Sequence, residues 1–271
     1  MNLGLNGETR ISLIIGDPIA QVKSPGNLTT ILARRGVNAI VAPAHVTAQD
    51  LPAFMQSVRL MRNLDAIVVT VPHKIAALDY CDLPSERAKF VGAVNVMRRL
   101  PDGRWVGDNT DGVGYLDGIA KEGFSVRDKK ALLVGAGGAG SAIALEILAR
   151  GASLLAVHDA DADRRDRLLA KLAKCFPDRA VTGSADPRGF DLVANATPAG
   201  MRPGDPLPVD ASGLSSGQFV ADVITKPEVS PLVEHARSLG CGTMTGAGMF
   251  NAQADLLVDR ILGIEAAGEP S

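Results

Sequence analysis

The sequence predicts an α/β protein, with a Rossmann-type parallel-sheet cofactor domain and a second α/β substrate domain of mostly parallel strands. Three observations carry this expectation. Short β-branched runs alternate with longer amphipathic stretches, the pattern of β-α-β units. The chain has 271 residues, 46% of them hydrophobic, which is enough for two medium domains with cores of their own. The run Gly135-Ala136-Gly137-Gly138-Ala139-Gly140 follows an apolar strand and opens a helix.

In chain order, strands are expected over residues 11–15, 39–43 and 65–70, with helices near 26–35 and 49–62. Residues 94–99 and 104–106 flank Pro101-Asp102-Gly103, whose Asp-Gly pair supplies the positive φ of a hairpin turn, so an antiparallel excursion is predicted there. A charged, glycine-bearing stretch at 122–130 marks a hinge between domains. Beyond it lie strands at 131–134, 154–157, 192–194 and 219–222. A Gly-rich loop after Gly240, an apolar helix over 250–262 that returns to the first domain, and a frayed tail at 265–271 complete the chain. The predicted division is a substrate domain of residues 1–115 plus 240–271 and a dinucleotide-binding domain of residues 125–239.

Composition narrows the partners. A net charge of -2 gives no broad positive field, and 4% aromatic residues leave few stacking platforms, so nucleic acid is not expected. The polar start lacks the basic head and apolar run of a secretory signal. Apolar stretches fall well short of the roughly 20 residues that a spanning helix needs. A cytoplasmic protein with no membrane partner is the expectation. Cys81, Cys175 and Cys241 are scattered and never in CxxC spacing, which indicates neither a disulfide framework nor a zinc site. No metal is expected, and nothing in the sequence specifies an oligomeric state.

The glycine run has the form GxGxxG. Gly135 allows the tight turn, Gly137 lets a pyrophosphate approach the backbone, and Gly140 lets helix and strand pack closely. Gly138 and Ala139 lie at the helix N-terminus, where free amides face the phosphates. About 20 residues on, Asp159 ends the next strand, where a carboxylate accepts hydrogen bonds from ribose hydroxyls and repels a 2′-phosphate. NAD is therefore expected to be preferred over NADP. Asp159 also suits a plain turn, and Arg164 and Arg165 stand close enough in sequence to reach a phosphate.

Hydride transfer from an alcohol needs a group to take the hydroxyl proton. Of four histidines, His73 alone follows an apolar strand into a ligand-facing turn, in Val68-Val69-Thr70-Val71-Pro72-His73-Lys74. Thr70 and Lys74 share that strand end, where open α/β sheets bind ligands. A lysine after Pro-His is equally what a solvated turn carries. Gly107-Asp108-Asn109-Thr110-Asp111-Gly112 is dense in short polar residues, which fits a cap or turn as well as a site.

Taken together and in order, these segments resemble the shikimate dehydrogenase family. The resemblance runs from Gly16-Asp17-Pro18-Ile19 through Val69-Thr70-Val71-Pro72-His73-Lys74, Gly92-Ala93-Val94-Asn95, Gly107 to Gly112, Gly135 to Ala139, Asn195-Ala196-Thr197 and Gly246 to Gln253. It implies reversible hydride transfer between a nicotinamide cofactor and a hydroxylated ring carboxylate, shikimate to 3-dehydroshikimate. Lys74 and Asp111 match the catalytic pair, with Lys74 handling the proton. Ser24, Thr70, Asn95 and Gln253 match the substrate-binding residues, and Thr197 joins the cofactor site.

Four positions depart from the family pattern. Val22 stands where the first of two carboxylate-binding serines is usual, Gln21 where histidine is, Val68 where asparagine is, and Thr225 where tyrosine is. Losing one hydrogen bond to a charged group costs about 1.5–3 kcal/mol, roughly tenfold or more in affinity for shikimate. An NAD-preferring paralogue acting on quinate, aminoshikimate or another ring acid is therefore an alternative. A non-catalytic dinucleotide or metabolite sensor is a second one, against which Lys74 and Asp111 speak, since a binding protein has no need of a proton-transfer pair.

Overall fold

The computed structural model describes residues 4–264; the tail at 265–271, predicted to fray, lies outside them. The chain divides into two compact units. One runs to Thr110 and resumes at Ala254, and the other is Asp111–Gln253.

In the first unit β1 (Arg10–Gly16), α1 (Ser24–Arg34), β2 (Ala39–His45), α2 (Leu51–Val58) and β3 (Leu64–Val69) alternate as the periodicity predicts. Both β2 and β3 pair in parallel with β1. Helix α2 stops at Val58, short of the predicted 62, because the amides of Leu60 and Met61 close tighter turns onto the carbonyls of Ser57 and Val58. Then come β4 (Leu83–Pro84), α3 (Glu86–Val91), β5 (Val96–Arg99) and β6 (Trp105–Asp108). The antiparallel excursion is present, since β5 runs against both β3 and β6. At its turn Gly103 has φ +91°, and Asp102 accepts the amide of Arg104.

Alternation along the strands sends side chains to two cores. Ile15, Ile67, Met55 and Trp105 fill one. Ile14, Val68, Leu28 and Leu32 fill the other, together with Ala254, Leu257, Val258 and Ile261 from the last helix.

The second unit opens with α4 (Asp111–Lys121) and continues through β7 (Lys130–Val134), α5 (Gly138–Ala149), β8 (Leu154–His158), α6 (Ala162–Cys175) and β9 (Ala180–Thr182). After these come β10 (Leu192–Asn195), β11 (Phe219–Asp222), α7 (Pro231–Ser238), β12 (Gly242–Met244) and the start of α8 (Gly246–Leu262). The sheet order is β12-β11-β10-β7-β8-β9 with every pairing parallel. This is the doubly wound arrangement whose strand order reverses beside β7, where such sheets bind dinucleotides.

The sequence did not predict α4, which carries three glycines that weaken a helical reading. Tertiary packing overrides that propensity: a Cβ at Gly112 would collide with the carbonyl of Ala142 in α5. The Gly-rich loop predicted after Gly240 is instead β12 and the first turns of α8. Gly246 is there for closeness, since a Cβ would strike the carbonyl of Ile224. Pairing of β12 with β11, and packing of α4 on α5, keep residues 111–121 and 242–253 in the second unit. The division therefore falls at Thr110/Asp111 and Gln253/Ala254, and the stretch at 122–130 lies inside the second unit.

None of the described helices is long and apolar enough to cross a membrane. Among the described residues no group of three or more His, Cys, Asp or Glu is placed to hold a metal ion. Burial, helped by nearby Asp82, pushes the Cys81 thiol up to about 12, so it is not a thiolate at neutral pH.

Candidate active site

In the first unit, predicted site residues collect at the carboxyl ends of β1 and β3. The amide of Thr70 donates to the carbonyl of Ile15, which fixes the exit from β3. The next turn closes when His73 N–H donates to Thr70 O. His73 is 1% exposed and its Nε2 sits 2.7 Å from the carbonyl of Val46, so this histidine anchors the turn to the core. Lys74 follows, half-buried, and its carbonyl accepts the amide of Val94 at 2.8 Å. That bond sets the Lys74 turn against the Gly92-Ala93-Val94-Asn95 segment.

Asn95 is buried, and both ends of its amide are engaged by Thr110. Its Nδ2 donates to Thr110 Oγ1 at 2.9 Å, and its Oδ1 accepts the Thr110 amide at 2.9 Å. Thr110 was not singled out in the sequence, although it lies within the motif that pointed to Asp111. Ser24 is buried as the first residue of α1, with Pro25 in the first turn. Val22 is half-buried against the same core that holds Val68, so two of the four positions that depart from the family pattern belong to one apolar cluster.

In the second unit Asp111 is buried at the N-terminus of α4, and its Oδ1 accepts Gln253 Nε2 at 3.0 Å. Gln253, predicted to bind substrate, thus also steadies Asp111. Lys74 and Asp111 lie in different units of the chain.

The glycine loop has the geometry its sequence implies. Gly135 has φ +101°, which L side chains rarely adopt, and a Cβ at Gly140 would run into the carbonyl of Gly135. A Cβ at Gly137 or Gly138 would meet nothing within 4 Å, which leaves open approach to the first amides of α5. Thr197 stands beside Gly135, with its hydroxyl donating to Asn195 Oδ1 at 2.7 Å. Asn195 in turn donates from Nδ2 to Asp222 at 3.0 Å, and Asp222 also receives Ser230 Oγ and the amide of Ile224. Sequence reasoning passed over this buried Asn195–Asp222–Ser230 chain. Its signal was the pairing of Asn and Asp at the ends of adjacent parallel strands.

Asp159 directly follows β8, but its carboxylate faces the loop. Oδ2 accepts the amide of Ala136 at 2.7 Å, Oδ1 accepts that of Asp161 at 2.8 Å, and Arg164 lies 3.6 Å away. Burial works to raise its pKa, yet the two amides and Arg164 outweigh that and hold the carboxyl below the usual range.

Residues 14–97 match the family model described as the shikimate dehydrogenase substrate binding domain. The shikimate dehydrogenase (NADP(+)) of Rhodospirillum rubrum is 34% identical over 253 residues, covering 91% of this chain and 89% of that one. The chain belongs to the shikimate dehydrogenase family. Like its relatives in that family, it is an NAD(P)-dependent oxidoreductase acting on a CH–OH group. Its fold is similar to that of shikimate 5-dehydrogenase from Listeria monocytogenes in complex with shikimate and NAD, with TM-score 0.88 and 27% identity over 97% of this chain and 95% of that one. It is also similar to the ligand-free 5-ketofructose reductase of Gluconobacter sp. strain CHM43, with TM-score 0.87 and 28% identity over 95% of this chain and 94% of that one.

Membership corrects the cofactor expectation. The curated relatives are shikimate dehydrogenases named for NADP(+), so the preference for NAD inferred from Asp159 does not stand. The physical reason lies in the loop. Asp159 spends its oxygens on backbone amides, and Arg164 beside it offsets the repulsion that a bare carboxylate would present to a 2′-phosphate.

Proposed function

We propose that this member of the shikimate dehydrogenase family interconverts shikimate and 3-dehydroshikimate with NADP. The observation that carries the reading is the Lys74 turn, tied through Val94 to the segment bearing Asn95 at the strand ends where this fold binds its ligands. The open N-terminus of α5 and the close Gly135–Gly140 turn fit a dinucleotide pyrophosphate. When bound, the dinucleotide supplies the hydride acceptor or donor. Lys74 exchanges the proton of the reacting hydroxyl, and Asp111, steadied by Gln253, is its partner carboxylate. Asn95, Thr70 and Ser24 bind the ring hydroxyls and carboxylate. Gly135, Gly137, Gly138, Ala139, Gly140 and Thr197 hold the cofactor, while Asp159 shapes the loop.

Steady-state assay with shikimate and NADP tests this, and turnover on that pair is expected. Cofactor binding without turnover on shikimate, quinate or aminoshikimate would overturn it in favour of a sensor. A second reading, a ring acid other than shikimate, is favoured by Val22 and Val68 in one apolar cluster. Higher kcat/KM on quinate or aminoshikimate than on shikimate would select it.

Arg164 is half-exposed in the first turn of α6 and is the proposed contact for the 2′-phosphate. Replacing Arg164 with alanine is expected to raise KM for NADP about tenfold, the cost of a lost hydrogen bond to a charged group, with little change for NAD. Equal effects on both cofactors would refute that assignment.

A further inference from the structure

At the end of β6, Asp108 is nearly buried and gathers four groups. Its Oδ2 accepts Arg260 Nε at 2.9 Å, with a guanidinium nitrogen of Arg87 at 3.5 Å. Its Oδ1 accepts Ser85 Oγ at 2.6 Å and the amide of Asn109 at 2.8 Å. The Arg260 and Asp108 side chains are only 12% and 10% exposed. The mechanism above assigns neither of them a task. The backbone of Asp108 faces the other way, and its carbonyl accepts the amide of Asn95 at 2.9 Å. Two residues on, Thr110 engages both ends of the Asn95 side-chain amide.

From this arrangement we infer that Arg260 is a positioning residue for substrate: through Asp108 it fixes the end of β6, and with it the orientation of Asn95. The inference rests on the reading that Asn95 binds the substrate. A buried carboxylate that loses the nearer of its two cationic partners, keeping only Arg87 at 3.5 Å, is poorly compensated and draws water or neighbouring donors toward itself. The amide of Asn109 already donates to it, and a shift of the carboxylate pulls on this bond and on the backbone on either side, which carries the contacts to Asn95. An ordinary packing residue at position 260 would lower stability without selecting Asn95.

The test compares R260Q, R260K and the double variant D108N/R260Q in the full chain. It reads KM for the ring acid, KM for NADP, and hydrogen exchange of the Asn95 and Thr110 amides. R260Q is expected to raise KM for the ring acid about tenfold and to speed exchange at Asn95, leaving KM for NADP unchanged. R260K and the double variant, which restore or remove the charge imbalance, are expected to recover most of both losses. Unchanged exchange at Asn95 with an unchanged ring-acid KM, even alongside a lower Tm, would overturn the inference. If R260Q does not fold, R260K and the double variant are judged against wild type, and slow Asn95 exchange in D108N/R260Q but not in D108A decides in favour. If the wild-type chain turns over no ring acid, the functional reading fails separately, and the exchange measurement still decides whether Arg260 orders Asn95.

Discussion

Replacing Lys74 with methionine is expected to lower kcat by about 10²- to 10⁴-fold, the usual contribution of a positioned proton-transfer group. Methionine keeps an unbranched apolar stem and removes only the ammonium. The backbone bond from Val94 to the Lys74 carbonyl is untouched by the exchange, so the turn after β3 keeps its shape. The glycine loop lies in the other unit, and NADP affinity measured by fluorescence titration is expected to stay at the wild-type value. K74M turning over at the wild-type rate would remove Lys74 from the chemistry and return it to the solvated turn that composition alone allows.

A second large effect concerns stability. Asp222 is fully buried and receives hydrogen bonds from Asn195, Ile224 and Ser230. Truncating it to alanine orphans all three donors, and a loss of about 3–5 kcal/mol is expected, readable as a lower urea midpoint. D222N keeps the shape and an acceptor, and its loss is expected to be the smaller of the two. Burial raises the Asp222 pKa, against the opposing pull of Ser230, Ile224 and Asn195. For a carboxyl raised on folding, the stabilising contribution is complete below the unfolded value, about 3.9, and is lost as pH rises through the folded one. Wild type is therefore expected to lose stability relative to D222N over that interval. Parallel pH–stability curves for the two proteins would show that Asp222 does not titrate as described.

Much of this architecture was legible because local pattern and tertiary demand agree. The strands carry β-branched runs, Asp102-Gly103 marks the hairpin, and the dinucleotide glycines follow an apolar strand with little competing explanation. The parts of the candidate site legible in sequence were turns set by a short motif, such as the one that carries Lys74 after β3. Helix α4 was hidden because its glycines are required by elements far along the chain, Gly112 by Ala142 of α5, Gly114 by Gln253 and Gly118 by Met244 and Gly248, and these leave no mark on the local sequence. Asp159 misled for a related reason. Its position in sequence fits a ribose contact, but only the folded loop shows its oxygens turned onto Ala136 and Asp161. The Asn195–Asp222–Ser230 and Asp108–Arg260 connections likewise join distant residues, and no window along the chain contains both ends.

The core beneath β1 and β3 has a bearing on the order in which the chain acquires structure. Ile14, Leu28, Val41 and Val68 share this core with Ala254, Leu257, Val258 and Ile261, so it closes only when the segments on either side of Asp111–Gln253 in sequence meet. Contacts this far apart in sequence are slow to form and leave apolar surface exposed in the meantime. The unit from Asp111 to Gln253 is continuous and needs no such closure. Folding of the discontinuous unit is therefore expected to be the slower of the two, with the continuous unit able to condense by itself.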